Sequence, residues 1–74
     1  MPTVKAIIEK MHTQPAGVRF EELQKVLEHY GFFLVRVKGS HAQFRNAQGD
    51  VITIKKETPV KAVYTKDVLK RIKT

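Results

Sequence analysis

Lys38-Gly39-Ser40-His41 is the segment of this chain best equipped for chemistry. An imidazole takes up and releases protons near neutral pH, so it can act as general acid or general base. Glycine lets the backbone turn sharply or approach a ligand closely. A serine hydroxyl and neighbouring amides bind phosphate oxygens. Arg36 precedes the segment, and Arg45 and Lys55 follow it in the next two extended stretches. Together these types suit a surface that binds phosphate oxygens beside one side chain able to transfer a proton. An exposed histidine without a role is the competing reading of His41. His12 and His29 lie on or near helices outside the basic region and read as surface residues. Three histidines this scattered, with no cysteine, predict no metal site, and no motif predicts a cofactor.

The charge points to the same region. The chain has 74 residues and a formal net charge of +7. Residues 1–31 balance four basic side chains against four acidic ones, whereas residues 32–74 set ten against three. All of the excess therefore lies in the second part. Segregated basic charge is the usual footprint of a nucleic-acid binder, although excess lysine also serves plain solubility.

The elements that position these residues follow from periodicity. Val4, Ile7, Ile8 and Met11 form one helical stripe, predicting a helix over Thr3–His12 that Gln14-Pro15-Ala16-Gly17 ends. A second helix is predicted over Phe20–Tyr30, with Leu23, Val26, Leu27 and Tyr30 on one face. Glu21 and Glu22 stand in its first turn and Gly31 just past its end. The period then changes to two. Phe32–Lys38, Ser40–Asn46 and Asp50–Lys56 read as three strands, with Gly49 in the second turn. A last helix is predicted from Tyr64 or Thr65 to Lys73, with Thr65 as its cap, Asp67 in its first turn, and Val68, Leu69 and Ile72 buried. The order α-α-β-β-β-α, with helices on one face of an antiparallel sheet, makes an α+β domain.

Strand alternation assigns faces. Phe33, Val35 and Val37, with Ala42, Phe44, Ile52 and Ile54, are predicted to face the helices. Phe32, Leu34, Arg36 and Lys38 then face away, as do His41, Gln43, Arg45, Val51, Thr53 and Lys55. The outcome is an open basic sheet face carrying one imidazole, with Phe32 and Leu34 as exposed apolar contacts for a partner. An ordinary solvated side of a half-buried sheet looks much the same.

Gly31-Phe32 after a helix, then Val35-Arg36-Val37-Lys38-Gly39-Ser40-His41 and Phe44, resembles the HicA-type toxins. Phe20-Glu21-Glu22-Leu23 and the closing Val60-Lys61 to Ile72 segment are similar too. The likeness covers roughly residues 18–73. It implies a double-stranded-RNA-binding-domain-like fold. It also implies an mRNA interferase, a metal-independent endoribonuclease whose catalytic histidine is His41. Arg36, Lys38, Gly39, Ser40, Arg45 and Lys55 would then hold RNA phosphates. The partner it implies is a HicB-type antitoxin. Two departures stand out. The helix over Thr3–His12 is an addition, so residues 1–17 precede a core of residues 18–74 in one domain. Lys55-Lys56-Glu57-Thr58-Pro59 lacks the histidine and glycine often found there.

Two other readings remain open: a non-catalytic double-stranded-RNA-binding module, and an inactive relic serving as a protein-interaction domain. The longest apolar run, Phe32–Val35, is far too short to span a membrane. Met1-Pro2-Thr3-Val4 resembles no export signal. A cytoplasmic protein is the expectation.

Overall fold

The computed structural model describes residues 2–72. Thr3 opens the first helix, α1 (Val4–Thr13), its hydroxyl accepting from the Ala6 N–H at 3.2 Å. Ile7 and Met11 are fully buried, and Val4 and Ile8 pack against the same core. The predicted stripe is therefore the buried one, and α1 contributes to the common core. A short 3-10 turn, Pro15–Gly17, redirects the chain into α2 (Phe20–His29). The Glu22 carboxylate closes the start of α2 by accepting from the Arg19 N–H at 2.9 Å, and Lys10 of α1 donates to the same oxygen at 3.0 Å. This ties the two helices together with a largely buried charge. Burial alone raises the Glu22 pKa, but these donors outweigh it and hold the carboxyl below its usual range. Tyr30 sits at the end of α2 and is exposed, not part of its buried stripe. Gly31 then leaves the helix at φ 85°.

Three strands follow, β1 (Phe33–Lys38), β2 (His41–Arg45) and β3 (Val51–Lys55), in the order β1-β2-β3 with both pairs antiparallel. Gly39 and Ser40 form the two-residue β1–β2 loop, with Gly39 at φ 61°, as the primed hairpin turns require. At the β2–β3 turn the Asn46 side chain accepts from the Gln48 and Asp50 N–H groups, and Gly49 takes φ 87°. The last helix, α3, runs Ala62–Ile72. It begins before the predicted Tyr64 or Thr65. Thr65 is therefore not its cap: it lies inside the helix and is fully buried. Asp67 in turn falls outside the first turn and pairs with Arg71 at 3.6 Å. Lys73, the predicted last residue of this helix, lies outside the described residues.

Ala42, Phe44, Ile52 and Ile54 project from one side of the sheet into a single core with Ile7, Met11, Leu23, Val26, Leu27 and Val68. The architecture is the expected α+β arrangement, α-α-β-β-β-α, with the helices layered on one face. It is consistent with a double-stranded-RNA-binding-domain-like fold. Among the described residues no helix is long and apolar enough to cross a membrane.

Strand β1 departs from its predicted alternation. Phe32 precedes the strand and is buried in the core, 6% exposed, so it is not an outward contact. Every residue of β1 is exposed. Phe33, Val35 and Val37, assigned to the covered face, are 56%, 58% and 48% exposed. The cause is an irregularity at Val35. Leu34 pairs with Phe44 and Arg36 with Gln43, which leaves Val35 as an extra residue. Such a bulge shifts the parity of one half of a strand against the other. Leu34 and Val37 pair with the buried Phe44 and Ala42, so they lie on the helix side of the sheet. They stay half exposed because β1 is an edge strand that the helices hardly reach. Phe33 pairs with Arg45 and faces away from the helices.

Candidate RNA-cleaving face

The open side of the sheet is built in three rows of cross-strand neighbours. Lys38, His41 and Lys55 form the first, Arg36, Gln43 and Thr53 the second, and Phe33, Arg45 and Val51 the third. Directly opposed side chains in an antiparallel pair have Cβ atoms about 4.5–5.5 Å apart. The imidazole of His41 therefore stands between two lysines, one on each flanking strand.

Backbone geometry holds this first row in place. The Gly39-Ser40 loop reverses the chain immediately before His41. The Lys56 N–H donates to the Ser40 carbonyl at 2.6 Å, extending the β2–β3 ladder past Lys55 and fastening the loop to the third strand. Lys55 is in turn held by Glu57 at 3.8 Å. Lys56 points the other way, its ammonium 5.8 Å above the Phe20 ring, and adds nothing to this face.

All seven predicted site residues, Arg36, Lys38, Gly39, Ser40, His41, Arg45 and Lys55, lie on this face or in the loop at its edge. The bulge at Val35 adds Phe33 to them, since it lets Phe33 and Arg36 point to the same side. The first row clusters tightly, whereas Arg45 stands at the far end of β2. It lies four positions along β2 from His41, about 13 Å at the usual strand rise. Of the other basic residues in the second part of the chain, Lys66, Lys70 and Arg71 ride on α3. His12 and His29 are exposed on the helical layer, as predicted.

The face is open. Two surface concavities, one lined by Pro2, Arg19, Glu21 and Glu22, the other by Val4, Lys5, Ile8, Glu9, His29 and Tyr30, belong to the helices and not to the His41 side. Among the described residues no three histidine, aspartate or glutamate side chains gather around a point where an ion could sit. An imidazole between two ammonium groups on an open surface can exchange a proton with a substrate whose phosphate the ammonium groups hold. An extended polyanion fits the shape.

Phe33 is the functional candidate that alternation misassigned. The run Phe32-Phe33-Leu34-Val35 has no alternation of its own, and that absence is the signal that its register is not set by pattern.

A family model described as HicA toxin of bacterial toxin-antitoxin matches residues 20–73. No curated protein and no solved structure matches the chain.

Proposed function

We propose that this chain, which belongs to the HicA family of toxins of bacterial toxin–antitoxin systems, is an endoribonuclease that cleaves mRNA in the cytoplasm without a metal ion. The observation that carries the reading is the row Lys38, His41 and Lys55 on an open sheet face.

RNA supplies its own nucleophile. The 2′-OH attacks the adjacent phosphorus, the 2′-O–P bond forms, and the P–O5′ bond breaks. His41 accepts the proton of the 2′-OH or delivers one to the departing 5′-oxygen, with water completing the exchange. Lys38 and Lys55 flank the phosphate and stabilise the charge that grows on its non-bridging oxygens, and Arg36 holds a neighbouring phosphate. Gly39 and Ser40 let the backbone and a hydroxyl come close to a phosphate oxygen. One proton-transfer group contributes typically about 10²–10⁴-fold, so the enzyme is slow but sufficient to halt translation when unrestrained.

Family membership implies an antitoxin partner. We place it, as a HicB-type protein with an acidic surface, across the open face, where it would block RNA by covering His41. Charge complementarity would make that association fast. Residues 18–74 form the nuclease unit in this reading, and α1 enlarges its core.

The test is induced expression of the wild type and of His41→Ala without the partner, scored for growth and mRNA integrity. The wild type arrests growth and degrades mRNA in cells, and its purified form cleaves RNA in the presence of EDTA. His41→Ala folds, binds RNA and does neither. A His41→Ala protein that still cleaves removes the histidine from the mechanism. Salt-sensitive RNA binding with no cleavage by the wild type points to a binding module instead.

A further inference from the structure

We propose that Phe33 is a nucleobase-stacking subsite, so that the open face takes single-stranded RNA with one base on the Phe33 ring and a phosphate at His41. The inference rests on the ribonuclease reading and adds to it the form of the substrate and a residue that selects it.

Four observations lead there. First, the bulge at Val35 turns Phe33 onto the face that carries His41, although its sequence position predicts the opposite side. Second, the ring is more than half exposed, an unusual setting for phenylalanine in a domain short of core. Third, its cross-strand neighbour is Arg45, and Val51 lies beyond on β3, also exposed. The third row therefore joins an aromatic surface to a cation. Fourth, the Arg45 guanidinium reaches toward the β2–β3 turn, with Nη2 3.8 Å from the place a Cβ on Gly49 would occupy. It can hold the phosphate of a base stacked on Phe33.

The chemistry then separates two forms of RNA. In a duplex the base faces are already stacked on each other, and a protein meets only phosphates, 2′-hydroxyls and groove edges. An exposed aromatic ring gains nothing from that surface. In a single strand the base faces are free, and stacking on an aromatic side chain with arginine at the backbone is the general mode of recognition. The basic and aromatic rows lie about 13 Å apart along β2, a span that a few splayed nucleotides cover. A second copy of the chain is disfavoured on this face, because it would set Arg36, Lys38, Arg45 and Lys55 against their own kind. An acidic protein segment shares the charge complementarity but has no use for the flat ring in particular.

The test measures binding in a His41→Asn background, which prevents cleavage. The probes are a fluorescein-labelled single-stranded RNA of about ten nucleotides and mixed sequence and an RNA duplex of about 16 base pairs. Fluorescence anisotropy at fixed salt reads both affinities. Phe33→Ala weakens single-strand binding about tenfold or more and leaves duplex binding within about twofold. Phe33→Trp restores the single strand, and Phe33→Leu does not. Equal single-strand affinity in Phe33→Ala, or full rescue by leucine, overturns the stacking subsite. So does a parallel loss for both RNAs. Unchanged RNA affinity with lost co-purification of the antitoxin would assign the ring to a protein interface and overturn it as well. If the parent protein binds neither RNA, the ribonuclease reading falls and takes this one with it. If it binds single strands but is indifferent to Phe33, only the subsite falls.

Discussion

Along β2 the side chains alternate between two environments. Ala42 and Phe44 are fully buried beneath the helices, whereas His41 and Arg45 stand in solvent between charged or apolar neighbours. The same alternation runs along β3, where Ile52 and Ile54 are buried and Val51 is exposed. One side of the sheet thus supplies the hydrophobic free energy of the fold, and the other is free to carry charges that would be costly to bury. The difference teaches that substitutions on the two faces, one residue apart in sequence, affect different properties. Stability belongs to the covered face, and the proposed RNA chemistry belongs to the open one.

The largest test of that division is Phe44→Ala. Truncating a buried phenylalanine costs about 3–5 kcal/mol. A domain of this length has a total stability of about 4–11 kcal/mol, at about 0.05–0.15 kcal/mol per residue. Urea denaturation will show most of the stability gone, and RNA binding will go with it. His41→Ala, its next-but-two neighbour in the chain, does the reverse. Cleavage falls about 10²–10⁴-fold, while the urea midpoint shifts by no more than about 0.5 kcal/mol in stability. A matching loss of stability would break the comparison.

Acid tests the covered side through the helices that cover it. Glu22 is buried, is held by Arg19 and Lys10, and has a depressed pKa. The unfolded chain binds a proton on this carboxyl at higher pH than the folded one does. The stabilisation is therefore complete above the ordinary glutamate value of about 4.3 and is lost as pH falls through the lower, folded value. Glu22→Gln costs about 1–3 kcal/mol at pH 7, and denaturation curves of the two proteins converge as pH falls below the ordinary glutamate range. A gap that stays constant with pH would show that the charge on Glu22 does not matter.

The smallest effect falls on the loop beside the site. Gly39 holds φ 61°, and nothing lies within 4 Å of the place its Cβ would occupy. Gly39→Ala therefore meets only the backbone cost of a left-handed residue, about 1 kcal/mol. Because this loop delivers His41 to its row, cleavage drops by more than the loss of stability explains. Equal activity after Gly39→Ala would mean that the loop does not position the imidazole.

Much of this was legible in the residues. The helical stripes of α1 and α2, the left-handed exit at Gly31 and the three strands follow from local periodicity and turn chemistry. Strands β2 and β3 alternate cleanly, so their faces were readable, and with them His41, Arg45 and Lys55. Strand β1 was only half readable. Its apolar run carries no alternation, and the extra residue at Val35 leaves no mark in composition. Alternation therefore put Phe33 inside and Phe32 outside, and the structure has them the other way round. Arg36 and Lys38 come after the bulge, where the predicted phase agrees with the pairing. The start of α3 was missed for a related reason. Thr65 is a good cap by type, but tertiary packing draws it into the core and moves the helix start back to Ala62.

The sequence alone determined the composition of the site and its family. The Gly-Ser-His segment, the concentration of positive charge in residues 32–74 and the α-α-β-β-β-α order are local properties, set by neighbours along the chain. Only the tertiary structure decided that Lys38 and Lys55 flank His41, that Phe33 shares their face, and that β1 lies at an uncovered edge. These are matters of how the strands pair with one another and pack on the helices, not of order along any one of them. A register is chosen by the whole sheet as it packs on its helices, and one unpaired residue at Val35 is enough to reverse which side of a strand meets the solvent.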